Sequence, residues 1–576
     1  MPAHKMLPHG CQHFRRIVED GMRYVDKTAL IERLLAPDRE RITVLMRPRR
    51  FGKSLTLSML AEFFDCTLDS RKLFEGLAVS RNAGLCAVWM NRRPVLHLDL
   101  SNVCGLIFED ALAALRRSIC DQVAFRHRGL LDSPALSADL KARLRALADR
   151  EEDDDLLAGS LATLCRALHG HRGHRPILLV DECDTPQHEA GEWGYAPDMT
   201  AFLRRFFAEA YAGPDAPELA VFAGCLNIAD VLPAGPGAGI GPGIAGCGVW
   251  TPDLADSIGF TQEEADMLLE EAGCAEKREA VREWYGGYSF GQGQTMYCPW
   301  EIINYIDDLR SSPELLPKAY WAWTASRSLM DELVSADDAA VTGPMTALLA
   351  GEAVRFRLEP GLCHDTAYDS VEHVWNLLLY AGCLTLSEGP DAAGLVRCVL
   401  PHRSVANIFR DAARSWYRNF PRDRKERARH LALHAALRAG DGSAFTKCFS
   451  WYLARGLLYL PGLEDLLGEV LKSLFREGGR DVAFGRKKAG GRKHQDRADG
   501  MRLLLAIEGD AETPAQVLAV RLCPGPESLA AETRKALRSA SKTALFRKMR
   551  QTWGRARCWG LALHGTQCLA LAGEVE

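Results

Sequence analysis

The sequence predicts an α/β protein built on a parallel sheet of the P-loop NTPase kind. A helical, winged-helix-like lid or middle region and a small C-terminal α/β domain are expected to follow. Three observations carry this. Residues 41–64 (RITVLMRPRRFGKSLTLSMLAEFF) read as a short buried strand, a tight basic loop and an apolar-periodic helix. Residues 176–184 (PILLVDECD) read as a second buried strand that ends in paired acids. Beyond residue 440, a helix, two apolar strands, a basic helix and a last strand make a compact unit of their own.

The first segment dictates its own chemistry. A loop ending Gly-Lys-Ser between a strand and a helix is the P-loop arrangement. Gly52 lets the backbone approach a phosphate, Lys53 can reach the β- and γ-phosphates, and the Ser54 hydroxyl can ligate Mg²⁺. The helix start aims free N–H groups and a positive dipole end at the same anion. Arg49, Arg50, Phe51 and Leu55 complete the nucleotide-binding set. Arg47 stands where the P-loop pattern GxxxxGK[ST] has its first glycine. The competing view of the motif alone is a basic helix N-terminus.

The second segment supplies the partner. A buried parallel strand delivering Asp181-Glu182 has the Walker B form. Asp181 would hold magnesium and Glu182 would orient or deprotonate the attacking water, with Asp184 and Thr185 in support. A structural strand end is the alternative, and the pairing of the two motifs weighs against it.

The remaining elements fall in order. Residues 14–35 give a turn at YVDKT and then a helix, with Asp26 and Thr28 either as caps or as a wall for the adenine. Residues 94–101 form a strand, and 108–147 are largely helical. The acidic run 150–155 is a loop or helix start. Residues 219–228 are a strand whose Asn227 is the sole candidate for sensing a γ-phosphate. Residues 233–248, rich in glycine and proline, are expected to lack regular structure. Thr261 and Glu264 make a capping-box helix start. The aromatic, glycine-dense stretch 283–305 packs a lid onto the core. Residues 375–386 continue a mostly helical module, followed by helices over 412–439 and 462–477. Strands over 501–507 and 516–523, a basic helix over 527–550 and a strand over 558–563 close the chain. The expected domains are 1–255, 256–440 and 441–576.

Composition sets limits. A chain of 576 residues exceeds one core, and 47% hydrophobic with 25% charged residues describes a globular protein. The net charge of -4 excludes a global polycation, so any nucleic-acid surface must be local. The 18 cysteines form no CxxC pair, which points to buried reduced thiols. With no apolar leader and no run long enough to cross a bilayer, a cytoplasmic location without membrane contact is expected.

Seven segments together resemble the bacterial and archaeal AAA-ATPase-like proteins that carry a C-terminal PD-(D/E)XK nuclease-like domain. They are 24–28 (YVDKT), 47–55 (RPRRFGKSL), 178–186 (LLVDECDTP), 259–264 (GFTQEE), 284–291 (WYGGYSFG), 297–305 (YCPWEIINY) and 380–386 (YAGCLTL). The resemblance implies an ATP-binding AAA-type fold, uses this arginine-rich loop where other NTPases have a glycine, and adds a helical lid. The sequence departs from the family at Cys183, where a tyrosine is usual, and at Ala223, Gly224 and Asn227, where Thr-Gly and then a basic residue are usual. Its nuclease-like domain departs further. Two-metal cleavage needs an Asp and then Glu-x-Lys on the neighbouring strand. Asp499 matches the first acid, but the partner strand offers Ala519-Val520-Arg521, and arginine cannot act as a base. Cleavage is therefore not expected.

Three readings compete. The favoured one is an ATP- and Mg²⁺-dependent switch with weak ATPase activity. The others are an active DNA-processing nuclease and a non-hydrolysing ATP-binding scaffold. Nucleic acid would meet the basic residues between Arg534 and Arg550, which are otherwise a solvated helix face. A protein partner would meet the lid.

Overall fold

The computed structural model describes residues 6–232, 243–291, 293–320, 344–345, 347–349, 351–364, 370–418, 424–455, 471, 474–475, 482–486, 502–509, 513–564 and 567–574. Its contacts divide the chain into two compact units: Met1–Ala325 with Ala353–Val405, and Ser326–Glu352 with Ala406–Glu576. No helix among the described residues is long and apolar enough to cross a membrane.

The first unit is organised by five parallel strands: β1 (Ile42–Met46), β2 (Val95–Asp99), β3 (Ile177–Asp181), β4 (Leu219–Gly224) and β5 (Ile244–Cys247). Their order is β2-β3-β4-β1-β5, with every neighbouring pair parallel. Every residue of β1, β3 and β4 is buried, as a sheet covered on both faces requires. Register places Met46 beside Gly224 and Asp181 beside Ala223. The carboxyl ends of β1 and β3 therefore lie one strand apart, on either side of β4.

The helix after β1 runs Lys53–Phe64. Gly52 makes that start possible: its φ of +103 lies in the left-handed region that side chains avoid. Leu57, Leu60, Phe63 and Phe64 are buried along this helix. The short helix Phe14–Glu19 is tied to it by the Arg15–Glu62 ion pair at 2.6 Å and by the Phe14 N–H, which donates to Ser58 Oγ.

The glycine- and proline-rich stretch departs from expectation. Residues 233–242 lie outside the described residues, but Ile244–Cys247 forms β5 and pairs with Ile42 to Leu45. Composition hid a strand whose ladder with β1 satisfies its backbone.

The middle stretch carries more β-structure than the mostly helical reading allowed. Strands β6 (Phe260–Thr261), β7 (Tyr288–Phe290) and β8 (Gln294–Tyr297) pair in the order β6-β8-β7. Strands β9 (Val354–Arg357), β10 (Thr385–Glu388) and β11 (Leu395–Val399) form a second antiparallel sheet. The helix Gln262–Glu271 opens with the expected capping box of Thr261 and Glu264. Helices Arg278–Tyr285 and Pro299–Ser311 pack Tyr285, Tyr305 and Ile306 into one core with Leu7 and Val25. Tyr288 donates its hydroxyl to Gly382 O at 2.9 Å. Gly382 has φ +80, and a Cβ there would stand 2.8 Å from Pro48 Cβ.

The second unit holds a mixed sheet, β12 (Val482–Arg486), β13 (Arg502–Ile507), β14 (Ala515–Leu522), β15 (Ala556–His564) and β16 (Gln567–Glu574), in chain order. Only β14 and β15 run parallel. The crossover between them is the basic segment, which is two helices rather than one. Leu529–Ser541 ends before Thr543, whose hydroxyl caps Ala544–Trp553 by accepting from Phe546 N. At Gly560 a Cβ would fall 2.2 Å from Thr533 O, so glycine lets the first helix lie against the sheet. Strand β16 was not expected, and most of 462–500 lies outside the described residues.

Candidate active site

The loop after β1 and the first residue of the helix Lys53–Phe64 supply two buried bases with different surroundings. Arg47 is wholly buried. Its guanidinium donates to Met46 O, Cys247 O and Leu254 O at 2.8–3.0 Å. It also lies 5.2 Å from the Phe290 ring. Arg47 thus binds β5 and the 254 turn to the loop rather than facing a ligand. Burial lowers its pKa to about 10, which leaves it charged at neutral pH.

Lys53 is 4% exposed, and its Nζ donates to Arg47 O at 3.1 Å, to Pro48 O at 3.4 Å and to the thiol of Cys225. Cys225 Sγ stands 3.6 Å away. Burial works against the ammonium, but the negative potential of Cys225, Glu182, Asp184 and Asp181 lifts it above its ordinary value. Cys225 is itself pushed by burial to about 11, so at neutral pH the three carboxylates supply this attraction.

The carboxylates come from the end of β3. Asp181 is buried, with the Ser54 hydroxyl near enough to favour its ionised form. Burial raises its pKa, against the pull of Ser54 and Lys53. Glu182 is half-buried at a φ of +47, unusual for a residue with a side chain. Its pKa is also raised by burial, with Lys53 opposing and Asp184 and Asp181 adding to the rise. Asp184 is buried and accepts from the backbone N–H groups of Cys225 and Leu226 at 3.0 and 2.9 Å. Gly224 has to be glycine here, because a Cβ would meet Asp184 Oδ1 at 2.5 Å.

These groups border a cleft of about 660 Å³. Every loop residue singled out from sequence, Arg49 to Leu55, lines it, as do Glu182, Thr185 and Glu189. Asp181 does not line it and sits behind Ser54. Tyr24, Val25 and Lys27 form part of the wall, together with Phe260 and Trp300. Asp26 and Thr28 do not: Asp26 accepts from Thr28 and from Ala78 N, and Thr28 Oγ1 accepts from Val79 N. They brace the turn. Within the loop, Arg49 and Arg50 are exposed, with the Arg50 guanidinium 4.5 Å from the Trp300 ring. Phe51 is buried against Tyr288 and Phe290.

Asn227 is not available to a phosphate. Its Nδ2 donates to Pro360 O at 2.8 Å, and its Oδ1 accepts from Ala229 N. The expectation that it senses a γ-phosphate is corrected accordingly. Asp499 lies outside the described residues. Arg521 lies in the other unit, in β14, buried and ion-paired to Glu532 at 2.5 Å.

Sequence reasoning missed three participants. The strut role of Arg47 was hidden because the loop pattern marks it only as a departure. Trp300 was read as ordinary packing. His364, whose Nε2 lies 3.7 Å from Asp184 Oδ2, follows no motif.

The arrangement suits a polyanion with a divalent cation. Three carboxylates surround one ammonium, an excess of negative charge that a cation would neutralise, and the hydroxyl–carboxylate pair is of the hard oxygen type that magnesium prefers. The ammonium is occupied by nothing stronger than neutral carbonyls.

No solved structure matches this chain. It is similar to a protein of Azotobacter chroococcum mcd 1 described as an uncharacterized protein in the vnfD 5′ region, at 25% identity over 404 residues. That stretch is 67% of this chain, and the chain spans about 65% of the relative's length. Residues 8–231 match the AAA-ATPase-like family, described as predicted AAA-ATPase. An AAA-ATPase-like domain therefore occupies residues 8–231, and it contains β1 to β4, Lys53, Ser54 and the acids that follow β3.

Proposed function

We propose that the first unit binds ATP with Mg²⁺ in this cleft and hydrolyses it slowly, as a switch. The observation that carries this is the buried amine of Lys53 at the start of the helix, under the negative potential of Asp181, Glu182 and Asp184, at a cleft lined by Arg49 to Leu55 and Glu182. Bound Mg²⁺ would neutralise phosphate charge and polarise the phosphoryl group under attack. Ser54 and Asp181 would hold it, Asp181 through water. Lys53 exchanges two carbonyl partners for phosphate oxygens, gaining charge-assisted bonds for neutral ones. Gly52 and the first N–H groups of the helix face the same anion. Glu182, whose raised pKa brings it toward the working range of a general base, orients water and accepts its proton. Arg49, Arg50, Phe51 and Leu55 complete the cradle.

The test is ATP binding by calorimetry with and without magnesium, together with phosphate release, for wild type, Lys53→Ala and Glu182→Gln. Wild type that binds no nucleotide with magnesium present ends this reading.

A second reading, ATP held without turnover, is favoured by Asn227, because its side chain is already committed. Binding without phosphate release would select it. For the second unit we infer a binding or assembly role rather than nuclease activity. Arg521 stands where cleavage would need a lysine, and it is tied to Glu532. Plasmid cleavage with Mg²⁺ or Mn²⁺ that Asp499→Ala abolishes would reverse that inference. Nucleic acid remains the natural candidate for the exposed basic residues Arg534, Arg538 and Lys542.

A further inference from the structure

Glu182 has to be held. A side-chain-bearing residue at positive φ keeps that conformation only where its surroundings over-determine it. The turn from Glu182 to Thr185 is closed by Thr185 N donating to Glu182 O at 3.1 Å. Cys183 N continues the ladder to Ala223 O. Asp184, the residue before the helix Thr185–Trp193, anchors the turn through the N–H groups of Cys225 and Leu226. Thr185 and Glu189, on that helix, line the cleft. The orientation of Asp184 therefore fixes both Glu182 and the cleft wall beside it.

One side chain reaches Asp184 from a distant part of the chain. His364 comes from the turn after β9, and that turn is tethered at Pro360 O by Asn227. Its side chain is 9% exposed, and its Nε2 stands 3.7 Å from Asp184 Oδ2, beyond hydrogen-bond length. Among the described residues neither His364 Nε2 nor Asp184 Oδ1 has a hydrogen-bond partner. On its other side the imidazole faces His188, with ring centroids 4.8 Å apart, and His188 faces Glu192. An unpaired, buried imidazole nitrogen 3.7 Å from a carboxylate whose other oxygen is also unpaired needs only a small shift to bond to that carboxylate.

We propose that His364 is a positioning residue for hydrolysis: by closing on Asp184 it locks the Glu182–Thr185 turn, and it links turnover to the segment that carries β9 to β11. This rests on the hydrolysis proposed above. His364 does not line the cleft, so it acts on turnover and not on affinity.

Steady-state kinetics on the full chain separates these effects. His364→Leu keeps the bulk of the ring without a donor, and His364→Gln keeps an N–H for the same carboxylate. We expect His364→Leu to lower kcat by about 10- to 100-fold with KM for ATP within about twofold, and His364→Gln to recover most of the loss. Equal changes in kcat and KM, or a glutamine no better than leucine, would mark a merely structural side chain and overturn the proposal. So would turnover indifferent to both variants, which would leave ATP hydrolysis itself standing. Wild type that binds ATP but releases no phosphate would remove both. If His364→Leu does not fold, His364→Ala takes its place under the same criteria: a kcat lowered at unchanged KM and recovered by His364→Gln supports the proposal, and any other pattern overturns it.

Discussion

Each unit buries a base among acids, and the two have opposite outcomes. In the first unit Lys53 faces Asp181, Glu182 and Asp184 but donates to main-chain carbonyls, so its charge remains available to the cleft. In the second, Arg521 is 6% exposed and pairs with Glu532, which also takes Lys535 at 2.6 Å. The residue types are nearly the same. What separates them is whether the charges are satisfied by each other or left facing a ligand, and only the second condition makes a site.

The largest expected effect tests that contrast directly. Lys53→Ala should weaken Mg²⁺–ATP binding by more than about 100-fold, because a desolvated charge-assisted contact is lost. Arg521→Ala should leave the same affinity unchanged in calorimetry while lowering stability to urea by about 2 kcal/mol. Equal effects on binding would erase the distinction. Next, Glu182→Gln should reduce phosphate release by about 10²- to 10³-fold with affinity within about threefold. A smaller but measurable effect belongs to Arg47. Arg47→Met frees three buried carbonyls and should cost about 3 kcal/mol in urea unfolding. Loss of ATP affinity without loss of stability would mean that the strut reading is wrong.

The least pronounced effect is a difference in acid response. Asp181 and Glu182 have raised pKa values, so they take up protons at a pH above the ordinary values of 3.8 and 4.5. Their charge, and with it affinity for Mg²⁺–ATP, should decline on acidification sooner than for exposed carboxylates. Because the folded state holds these protons more tightly, the same window relatively stabilises the unliganded fold as pH falls. Glu532 has the opposite sign. Lys535 and Arg521 lower its pKa, so its pair stabilises the fold above 4.5 and is lost as pH falls through the lower folded value. Affinity titrated from about pH 8 downwards, beside thermal melts of the same samples carried on to about pH 3, would show whether the two responses diverge.

Much of the site was legible because its chemistry has a local signature. Gly52, Lys53, Ser54 and Asp181 stand at the ends of runs whose burial follows from their composition, and a parallel sheet brings such ends together. What was illegible was long-range. Nothing beside Arg47 in the chain announces that Cys247 and Leu254 carbonyls will surround it, and nothing near His364 announces Asp184. Asn227 was misjudged for the same reason, since its partner Pro360 lies 133 residues further along the chain. Strand β5 escaped because glycine and proline in 233–243 suppress any propensity signal, whereas the open edge of β1 decides the matter. The described part of the basic crossover broke at Thr543 because its cap outweighs continuous helical periodicity.

The contact of Gly382 with Pro48 has a genetic consequence. With a left-handed φ and proline carbons where a methyl group would go, no other residue fits without pushing the loop after β1. A screen for variants defective in nucleotide handling should therefore return alleles at codon 382 whose phenotype mimics damage at the loop, although the two positions are remote in the gene.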